Sequence, residues 1–217
     1  MLKENKERLM ITRDHPLWGD APWRRKFLPA DTPDFTDLFA EPQRLLEVEV
    51  GCGRGTFLHQ RAVLFPEHNF LGIETQVNRV KVSRAKMQKS QGVSVRILNA
   101  DARLVFSRYL PDESVAVVHI YFPDPWPKKK HLRRRLLQVD FFKAIDRCLQ
   151  KNGRVYFATD DKGYYFFIKQ ELESSELSWT ITRETINKRI CNPEFKTEFE
   201  RKFEEEGRDL HYLEICK

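Results

Sequence analysis

The stretch Leu45-Leu-Glu-Val-Glu-Val-Gly-Cys-Gly-Arg-Gly55 decides the fold class of this chain. Its first six residues are rich in aliphatic side chains and stop at a glycine, as a short strand does. Three glycines at alternate positions then permit a tight turn and a close approach of the backbone to a ligand. The spacing Gly-x-Gly-x-Gly differs from the Gly-x-Gly-x-x-Gly of dinucleotide-binding proteins, so the turn alone indicates either a ligand site or a purely structural bend.

Downstream of this turn, strand patterns and helix patterns alternate. Short aliphatic segments predict strands at 45–50, 70–74, 93–99, 115–121 and 154–159. Apolar residues at helical spacing predict helices at 57–65, 77–91, 102–109, 136–150 and 164–172. The segment Val115–Tyr121 is apolar almost throughout, which indicates burial on both faces and parallel neighbours. We therefore predict an α/β fold with a doubly wound, mostly parallel central sheet and helices on both faces.

The 217 residues fit one domain with a full core. Residues 1–43 are rich in Pro, Trp and charge and lack periodicity, so we predict an N-terminal arm there and a single domain at 44–217. The four cysteines form no Cys-x-x-Cys pair, which argues against a zinc ribbon, a redox dithiol or a disulfide framework. Because no signal-peptide segment or membrane-length apolar run is present, we expect a cytoplasmic protein without membrane contact.

The positive charge of the chain is concentrated in one segment. The net charge is +6, and the octapeptide Lys128–Arg135 (KKKHLRRR), here called the basic segment, holds six positive charges and no acid. Runs of charge are usually solvated surface, but this one directly follows the proline-rich segment Tyr121–Pro127, a candidate catalytic loop. Contacts to phosphates position a nucleic acid without reading its sequence. We predict that the basic segment binds RNA phosphates.

Three acids stand at or next to the ends of successive predicted strands: Glu49, Glu74 and Asp101. A single acid there is often a helix cap, but ligands in such sheets lie beyond the carboxyl ends of the strands, so three acids are expected to converge on one crevice. Glu74 has the position that binds ribose hydroxyls, and Asp101 could accept from an adenine amine. An acidic crevice repels a pyrophosphate and suits the cationic, phosphate-free S-adenosylmethionine.

The fourth predicted strand runs into the loop Tyr121-Phe-Pro-Asp-Pro-Trp-Pro127. Its three prolines exclude a helix and make the loop stiff. The loop brings one carboxylate, Asp124, and one large aromatic ring, Trp126, to the rim of the sheet. Such a pair suits an unpaired or flipped base, because the ring can stack and the acid can stabilise positive charge. Alternatively, Trp126 packs over the core and the prolines only shape a turn.

This loop and the basic segment resemble the signature of the bacterial tRNA (guanine-N7-)-methyltransferases, which belong to the class I S-adenosylmethionine-dependent methyltransferases with a Rossmann-like fold. The resemblance runs from about Leu45 to the C-terminus. Further matching strings are Gly72-Ile-Glu74, Ala100-Asp101-Ala102, Ala158-Thr-Asp160 and Thr197-Glu-Phe-Glu200. The resemblance implies methyl transfer from S-adenosylmethionine to N7 of guanine 46 in the tRNA variable loop. It implies neither a metal nor a protein partner.

The resemblance also implies roles for individual residues, with Asp124 as the catalytic residue. The residues expected to bind the cofactor are Glu49, Gly51, Gly53, Glu74, Asp101 and Asp124. The residues expected to contact the tRNA are Lys128, Asp160, Thr197, Glu198, Phe199 and Glu200. Guanine N7 has an in-plane lone pair and loses no proton, so no general base is needed, and Asp124 is expected to orient the base and stabilise its new positive charge.

Two other functions fit parts of the sequence. A methyltransferase for exocyclic amines carries a related loop, but this chain lacks that loop's second adjacent proline. A non-catalytic RNA-binding protein could keep the fold without the cofactor, although four retained acids argue against this. His119 lies within a predicted buried strand and is expected to be a core histidine rather than a base.

Overall fold

The computed structural model describes residues 34–90, 92–192 and 194–217. They form a seven-stranded sheet in the order β3-β2-β1-β4-β5-β7-β6. Neighbouring strands from β3 to β5 are parallel, whereas β7 is antiparallel to both β5 and β6. The strands are β1 Leu46–Val50, β2 Asn69–Glu74, β3 Ser94–Asn99, β4 Val115–Tyr121, β5 Leu149–Thr159, β6 Thr180–Ile186 and β7 His211–Cys216.

The helices connect these strands as a doubly wound sheet requires. They are α1 Thr56–Leu64, α2 Val77–Gln88, α3 Ala102–Leu104, α4 Val139–Cys148, α5 Lys162–Ser174 and α6 Glu198–Glu205. A π turn, Val105–Tyr109, continues α3, and a 3-10 helix, Lys129–Arg134, lies within the basic segment. The predicted fold class is therefore confirmed.

The predicted helix at 136–150 is too long at both ends. Gln138 is the extended N-cap and α4 begins at Val139, while the Leu137 N–H before it donates to the Tyr164 hydroxyl at 3.2 Å. At the other end, Leu149 already belongs to β5. The predicted strand at 154–159 is correspondingly the second half of a longer strand.

The centre of the sheet is buried on both faces, as the apolar strands predict. Every residue of β1 and of β2 is buried. The strand order reverses between β1 and β4, which places a crevice at their carboxyl ends. This switch point positions the candidate site.

The predicted boundary after residue 43 falls near the start of the described chain. Residues 1–33 lie outside the described residues, so the predicted arm stays a prediction there. Leu38 and Phe39, which precede the boundary, are buried in the main hydrophobic core. Among the described residues, no helix has the length and apolar character needed to cross a membrane.

Candidate active site

Two adjoining cavities open at the carboxyl ends of the central strands. The larger measures about 290 Å³, and the smaller measures about 40 Å³. Gly51, Tyr121 and Phe199 line both of them. Glu74, Asp101 and Asp124 line the larger cavity, whereas Glu49 lines the smaller one. The four acids therefore surround one crevice, but Glu49 lies in a separate compartment beyond Gly51.

The glycine turn between β1 and α1 is left-handed at every glycine. The φ angles of Gly51, Gly53 and Gly55 are 73°, 56° and 69°. A Cβ atom on Gly51 or Gly53 would meet no atom within 4 Å, so both glycines face open space. At Gly55 a Cβ atom would lie 2.3 Å from Ser83 Oγ on α2, so this glycine lets two helices pack closely. The turn thus has a ligand-facing part and a structural part.

Replacing Gly55 by Ala is expected to lower the free energy of unfolding by about 3 kcal/mol, because the left-handed backbone and the contact with Ser83 both oppose a methyl group. Gly207→Ala is a matched control. Gly207 has the same φ of 69° and open space around it, so Gly207→Ala is expected to lower the free energy of unfolding by only about 1 kcal/mol. Denaturant unfolding measures both, and equal losses would contradict the close packing.

Glu49, near the end of β1, is a buried acid whose Oε2 has no hydrogen-bond partner among the described residues. Burial raises the pKa of Glu49 to about 8, although the buried Arg189 guanidinium opposes that increase. An unpartnered buried acceptor is costly, since it has lost its water without gaining a donor. Glu49 is therefore suited to a cationic donor brought by a ligand.

Glu74, the last residue of β2, closes the wall between the glycine turn and α2. Its Oε2 accepts from the Gly53 N–H at 3.0 Å, and its Oε1 accepts from the Gln76 N–H at 2.8 Å. Arg79 Nη1 lies 3.9 Å from Oε2. Oε1 also accepts from the Thr75 hydroxyl at 3.4 Å. These contacts fix the carboxylate at the edge of the larger cavity, and Oε2 keeps a further lone pair for a ligand hydroxyl.

Asp101 has the two roles that its position indicates. It caps α3, because its Oδ1 accepts from the Arg103 N–H at 2.9 Å. The same residue lines the larger cavity, together with Glu74. One oxygen thus orders the helix, and the side chain stays within reach of a bound ligand.

The loop after β4 brings Asp124 and Trp126 to the larger cavity. Phe122 and Trp126 have φ angles of 53° and 42°, a left-handed conformation that non-glycine residues rarely adopt and that often occurs at functional sites. Asp124 is exposed to solvent at the cavity rim. The Trp126 ring lies 5.0 Å from the Arg134 guanidinium and meets the His131 ring edge-on at 5.7 Å.

The basic segment presents most of its charge to solvent. Lys128, Lys129, Lys130, Arg133 and Arg134 are exposed. Arg135 differs, because it is only 6% exposed and its Nε donates to the Pro125 carbonyl at 2.7 Å. Five of the six cations can therefore meet an anionic partner directly.

The start of α6 lies beside both cavities. Thr197 and Glu200 form a capping box, in which each side chain accepts from the backbone N–H of the other at 3.1 Å. Glu200 is fully buried and bonded to Arg189 and to the Tyr212 hydroxyl. Phe199, by contrast, is 41% exposed and lines both cavities. Thr197 also lines the smaller cavity. Within this turn, Glu200 is therefore an internal support, whereas Thr197 and Phe199 face the cavities.

The remaining predicted substrate residues lie near the same edge. Glu198 is exposed, lines the smaller cavity and accepts from the Thr56 hydroxyl at 3.2 Å. Asp160 follows β5 and forms an ion pair with Arg208 at 2.6 Å. Asp160 lines neither cavity. The structure thus brings Glu198 to the crevice and leaves Asp160 outside it.

Comparison with known proteins identifies the family. The family model described as "Putative methyltransferase" matches residues 43–213. The tRNA (guanine-N(7)-)-methyltransferase of Geobacillus thermodenitrificans is 30% identical over 174 residues, which cover 80% of this chain and 80% of that protein. The chain belongs to the tRNA (guanine-N(7)-)-methyltransferase family.

A second member of that family, from Thermotoga maritima, is 34% identical over 81% of this chain, which spans 54% of that longer protein. Among solved structures, the 16S rRNA (adenine(1408)-N(1))-methyltransferase of Catenulisporales acidiphilia superposes with a TM-score of 0.59 at 13% identity. That match covers 85% of this chain and 92% of the other. It supports the class I methyltransferase fold and nothing finer.

The tRNA (guanine-N7-)-methyltransferase family uses S-adenosylmethionine, and the crevice fits this cofactor. The unpartnered Glu49 Oε2 matches an ammonium group, and the open space over Gly51 and Gly53 admits a ligand against the backbone. The larger cavity is lined by carboxylates, which suit a cationic cofactor that has no phosphate groups. Among the described residues, no cluster of His, Cys, Asp or Glu could hold a metal ion.

His119 is confirmed as a core histidine. It is fully buried, and its ring nitrogens contact Glu47 Oε2 at 2.9 Å and the Tyr121 hydroxyl at 3.0 Å. Arg61 and His68 complete the hydrogen bonds of the Glu47 carboxylate. Although burial opposes it, the hydrogen bonds and charges of His119 and Arg61 lower the pKa of Glu47 to about 2. This network supports β1 from within the sheet.

Sequence reasoning missed two cations beside the crevice, Arg79 and Arg189, and assigned a third, Arg135, to the wrong surface. Arg79 lines the larger cavity and lies 5.9 Å from the Phe199 ring. Arg189 is buried, pairs with Glu200 and lies 4.4 Å from the Tyr121 ring. Arg135 was assigned to the RNA-binding surface although it points inward. Because Arg189 directly follows Lys188, the sequence around it gives no signal of a buried site.

Proposed function

We propose that this protein transfers a methyl group from S-adenosylmethionine to N7 of guanine 46 in the variable loop of tRNA, the standard site of its family. The observation that carries this proposal is the convergence of Glu74, Asp101 and Asp124 on one cavity directly beside the exposed basic segment. An acidic cofactor crevice next to a cationic surface suits a cationic methyl donor and a polyanionic acceptor. Such an enzyme would work in the cytoplasm, where tRNA is modified.

Six residues are proposed to hold the cofactor. Glu49 binds the ammonium of the methionine part, while Gly51 and Gly53 let that part approach the backbone. Glu74 accepts from the ribose hydroxyls and Asp101 from the adenine amine. S-adenosylmethionine, when bound, supplies an electrophilic methyl group on a sulfonium centre. Asp124 lines the same cavity as Glu74 and Asp101.

Asp124 is the proposed catalytic residue. N7 of guanine attacks with its own lone pair, so the protein needs no base to activate it. Methylation leaves a positive charge on the ring, and a carboxylate placed nearby stabilises that charge as it forms. The stiff loop holds Asp124 at the cavity rim, so that N7 can be aligned with the methyl group.

The tRNA is proposed to lie across the basic segment and the start of α6. Lys128 and the other exposed cations bind its phosphates, which gives affinity without sequence readout. Glu198 and Phe199 face the cavity and are proposed to contact the guanine region, with Asp160 at a greater distance from the cofactor. Thr197 and Glu200 contribute by holding α6 in place, because their polar atoms are engaged in the capping box.

The proposed reaction is tested by transfer of labelled methyl from S-adenosylmethionine to two tRNA transcripts. One carries guanine at position 46, and the other carries adenine there. Label on the first transcript alone is expected. Equal labelling of both would contradict the proposed position, and no label on either, with a tRNA that binds, would contradict the activity.

Replacing exposed cations of the basic segment is expected to weaken tRNA binding in a salt-dependent way. For Lys129→Gln combined with Lys130→Gln, we expect the slope of log K against log salt to fall by about two, because each phosphate contact contributes about one. Lys151→Gln, at an exposed site near the start of β5, is the control. Filter binding at several salt concentrations measures the slope, and an unchanged slope for the double variant would contradict phosphate binding.

A further inference from the structure

The last residue of the basic segment points into the protein. Arg135 follows the 3-10 helix and turns the chain inward, so that its side chain is buried while its neighbours remain exposed. Its guanidinium carbon lies 4.8 Å from the centroid of the Tyr164 ring and 4.6 Å from that of Phe167, both on α5. An arginine stacked on two rings is held by the planar face of its guanidinium, which lysine does not have.

The backbone of Arg135 is also held by hydrogen bonds. Its carbonyl accepts from Arg103 Nη2 at 2.8 Å and from Gln138 Nε2 at 3.0 Å. The side chain then reaches back ten residues, and Nε donates to the Pro125 carbonyl at 2.7 Å. Pro125 directly follows Asp124, so this hydrogen bond acts on the backbone next to the proposed catalytic acid.

Few other hydrogen bonds hold this loop, although the Phe122 ring packs against Phe203 and the Trp126 ring against His131 and Arg134. Two hydrogen bonds join residues 122–127 to the described part of the chain: Phe122 N–H to the Ala158 carbonyl, and Arg135 to Pro125. The prolines at 123, 125 and 127 have no N–H, so beyond Phe122 only Asp124 and Trp126 offer backbone donors in the loop. The first bond anchors the start of the loop, and the second lies beside Asp124.

We propose that Arg135 is a positioning residue, which fixes the Asp124 loop through Pro125 and does not bind tRNA phosphate. This inference rests on the proposed methyl transfer. It divides the basic segment by role: the cations from Lys128 to Arg134 face the solvent, whereas Arg135 joins the loop to α5. A displacement of about 1 Å at a reacting group can lower a rate by about 100-fold, so a contact of this kind affects turnover more than binding.

The test compares Arg135→Met and Arg135→Lys with Arg133→Gln, an exposed cation of the same segment. For both Arg135 variants we expect a ten- to hundredfold lower kcat at saturating tRNA, with the salt slope of tRNA binding unchanged. For Arg133→Gln we expect a higher KM for tRNA and a salt slope smaller by about one. If Arg135→Met does not fold, Arg135→Lys decides the result, because it keeps the charge but loses the planar fork.

The second readout is the environment of Trp126, which needs no activity. The protein is labelled with 5-fluorotryptophan, and the Trp126 resonance is assigned by its loss in Trp126→Phe. A shifted or broadened Trp126 resonance in the Arg135 variants, unchanged in Arg133→Gln, supports positioning. A smaller salt slope with an unmoved resonance and unchanged kcat would overturn it. Absence of methylation by the wild-type protein would refute the proposed function, while the fluorine resonance would still decide the role of Arg135.

Discussion

Replacing Asp124 by Asn is expected to lower kcat for tRNA methylation by about 100- to 1,000-fold. The amide keeps the shape of the side chain but removes the negative charge that stabilises the developing cation on the guanine ring, and loss of one such group typically has this effect. Because Asp124 is exposed and has no hydrogen bond that orders the described chain, the variant is expected to fold normally. Single-turnover methyl transfer measures the rate of the chemical step.

Asp140→Asn is the matched control for this variant. Asp140 is an exposed acid in the first turn of α4, away from both cavities. It changes the net charge by the same amount and is expected to leave kcat within about twofold. A wild-type rate for Asp124→Asn, or an equal loss in both variants, would contradict a catalytic role for Asp124.

Replacing Glu49 by Gln is expected to weaken S-adenosylmethionine binding by about 100-fold or more. A buried ammonium would then lack its charge partner, and removal of one member of a buried pair typically costs about 3–5 kcal/mol. Calorimetry measures the affinity without any acceptor tRNA. Glu41→Gln, an exposed acid that lines neither cavity, is the control. Similar affinities for wild type and Glu49→Gln would contradict ammonium binding at Glu49.

Cofactor binding is expected to release a proton from Glu49, and the same variant tests this. The pKa of Glu49 is raised to about 8, so the free protein carries the protonated acid at pH 6.5. Binding of an ammonium requires the carboxylate, so each cofactor bound should release close to one proton at pH 6.5 and affinity should rise about tenfold from pH 6 to pH 7. Calorimetry in buffers of different ionisation enthalpy detects this proton. Glu49→Gln is expected to show neither effect.

Cofactor affinity is expected to rise with pH, whereas the contribution of Glu49 to the stability of the free protein is expected to fall. A group whose pKa is raised on folding contributes stability below its ordinary pKa and loses that contribution as the pH rises to its folded value. For Glu49 this window extends from 4.5 to about 8. Glu49→Gln is therefore expected to stabilise the free protein at pH 8 by on the order of 4 kcal/mol and much less at pH 5. Thermal unfolding at both pH values measures the difference.

The central sheet was predictable because its strands are apolar on both faces. The predicted strands at 45–50, 70–74, 93–99 and 115–121 coincide with β1 to β4 within one residue at each end. In contrast, β6 and β7 were not predicted. Most residues of β6 are exposed and polar, so no alternation of apolar residues marks it. β7 is buried, but it contains Glu214, which forms an ion pair with Arg154. This charged residue interrupts the apolar pattern from which a buried strand is predicted.

The candidate site was partly predictable for a related reason. Acids at strand ends must meet at one edge of a parallel sheet, which is why Glu74 and Asp101 could be placed from the sequence. The inward direction of Arg135 could not, because it depends on two rings of α5 that lie some 30 residues downstream. Glu200 was grouped with the substrate residues by resemblance, whereas its burial depends on Arg189 and Tyr212.

The methylated atom is the most direct test of the proposed function. Unmodified tRNA is incubated with the protein and S-adenosylmethionine, digested to nucleosides and analysed by mass spectrometry against synthetic standards. We predict 7-methylguanosine as the single new nucleoside, absent when Asp124→Asn replaces the wild-type protein at the same enzyme concentration and short reaction time. A methyl group on an exocyclic amine, or no methylated nucleoside from a tRNA and a cofactor that both bind, would contradict it.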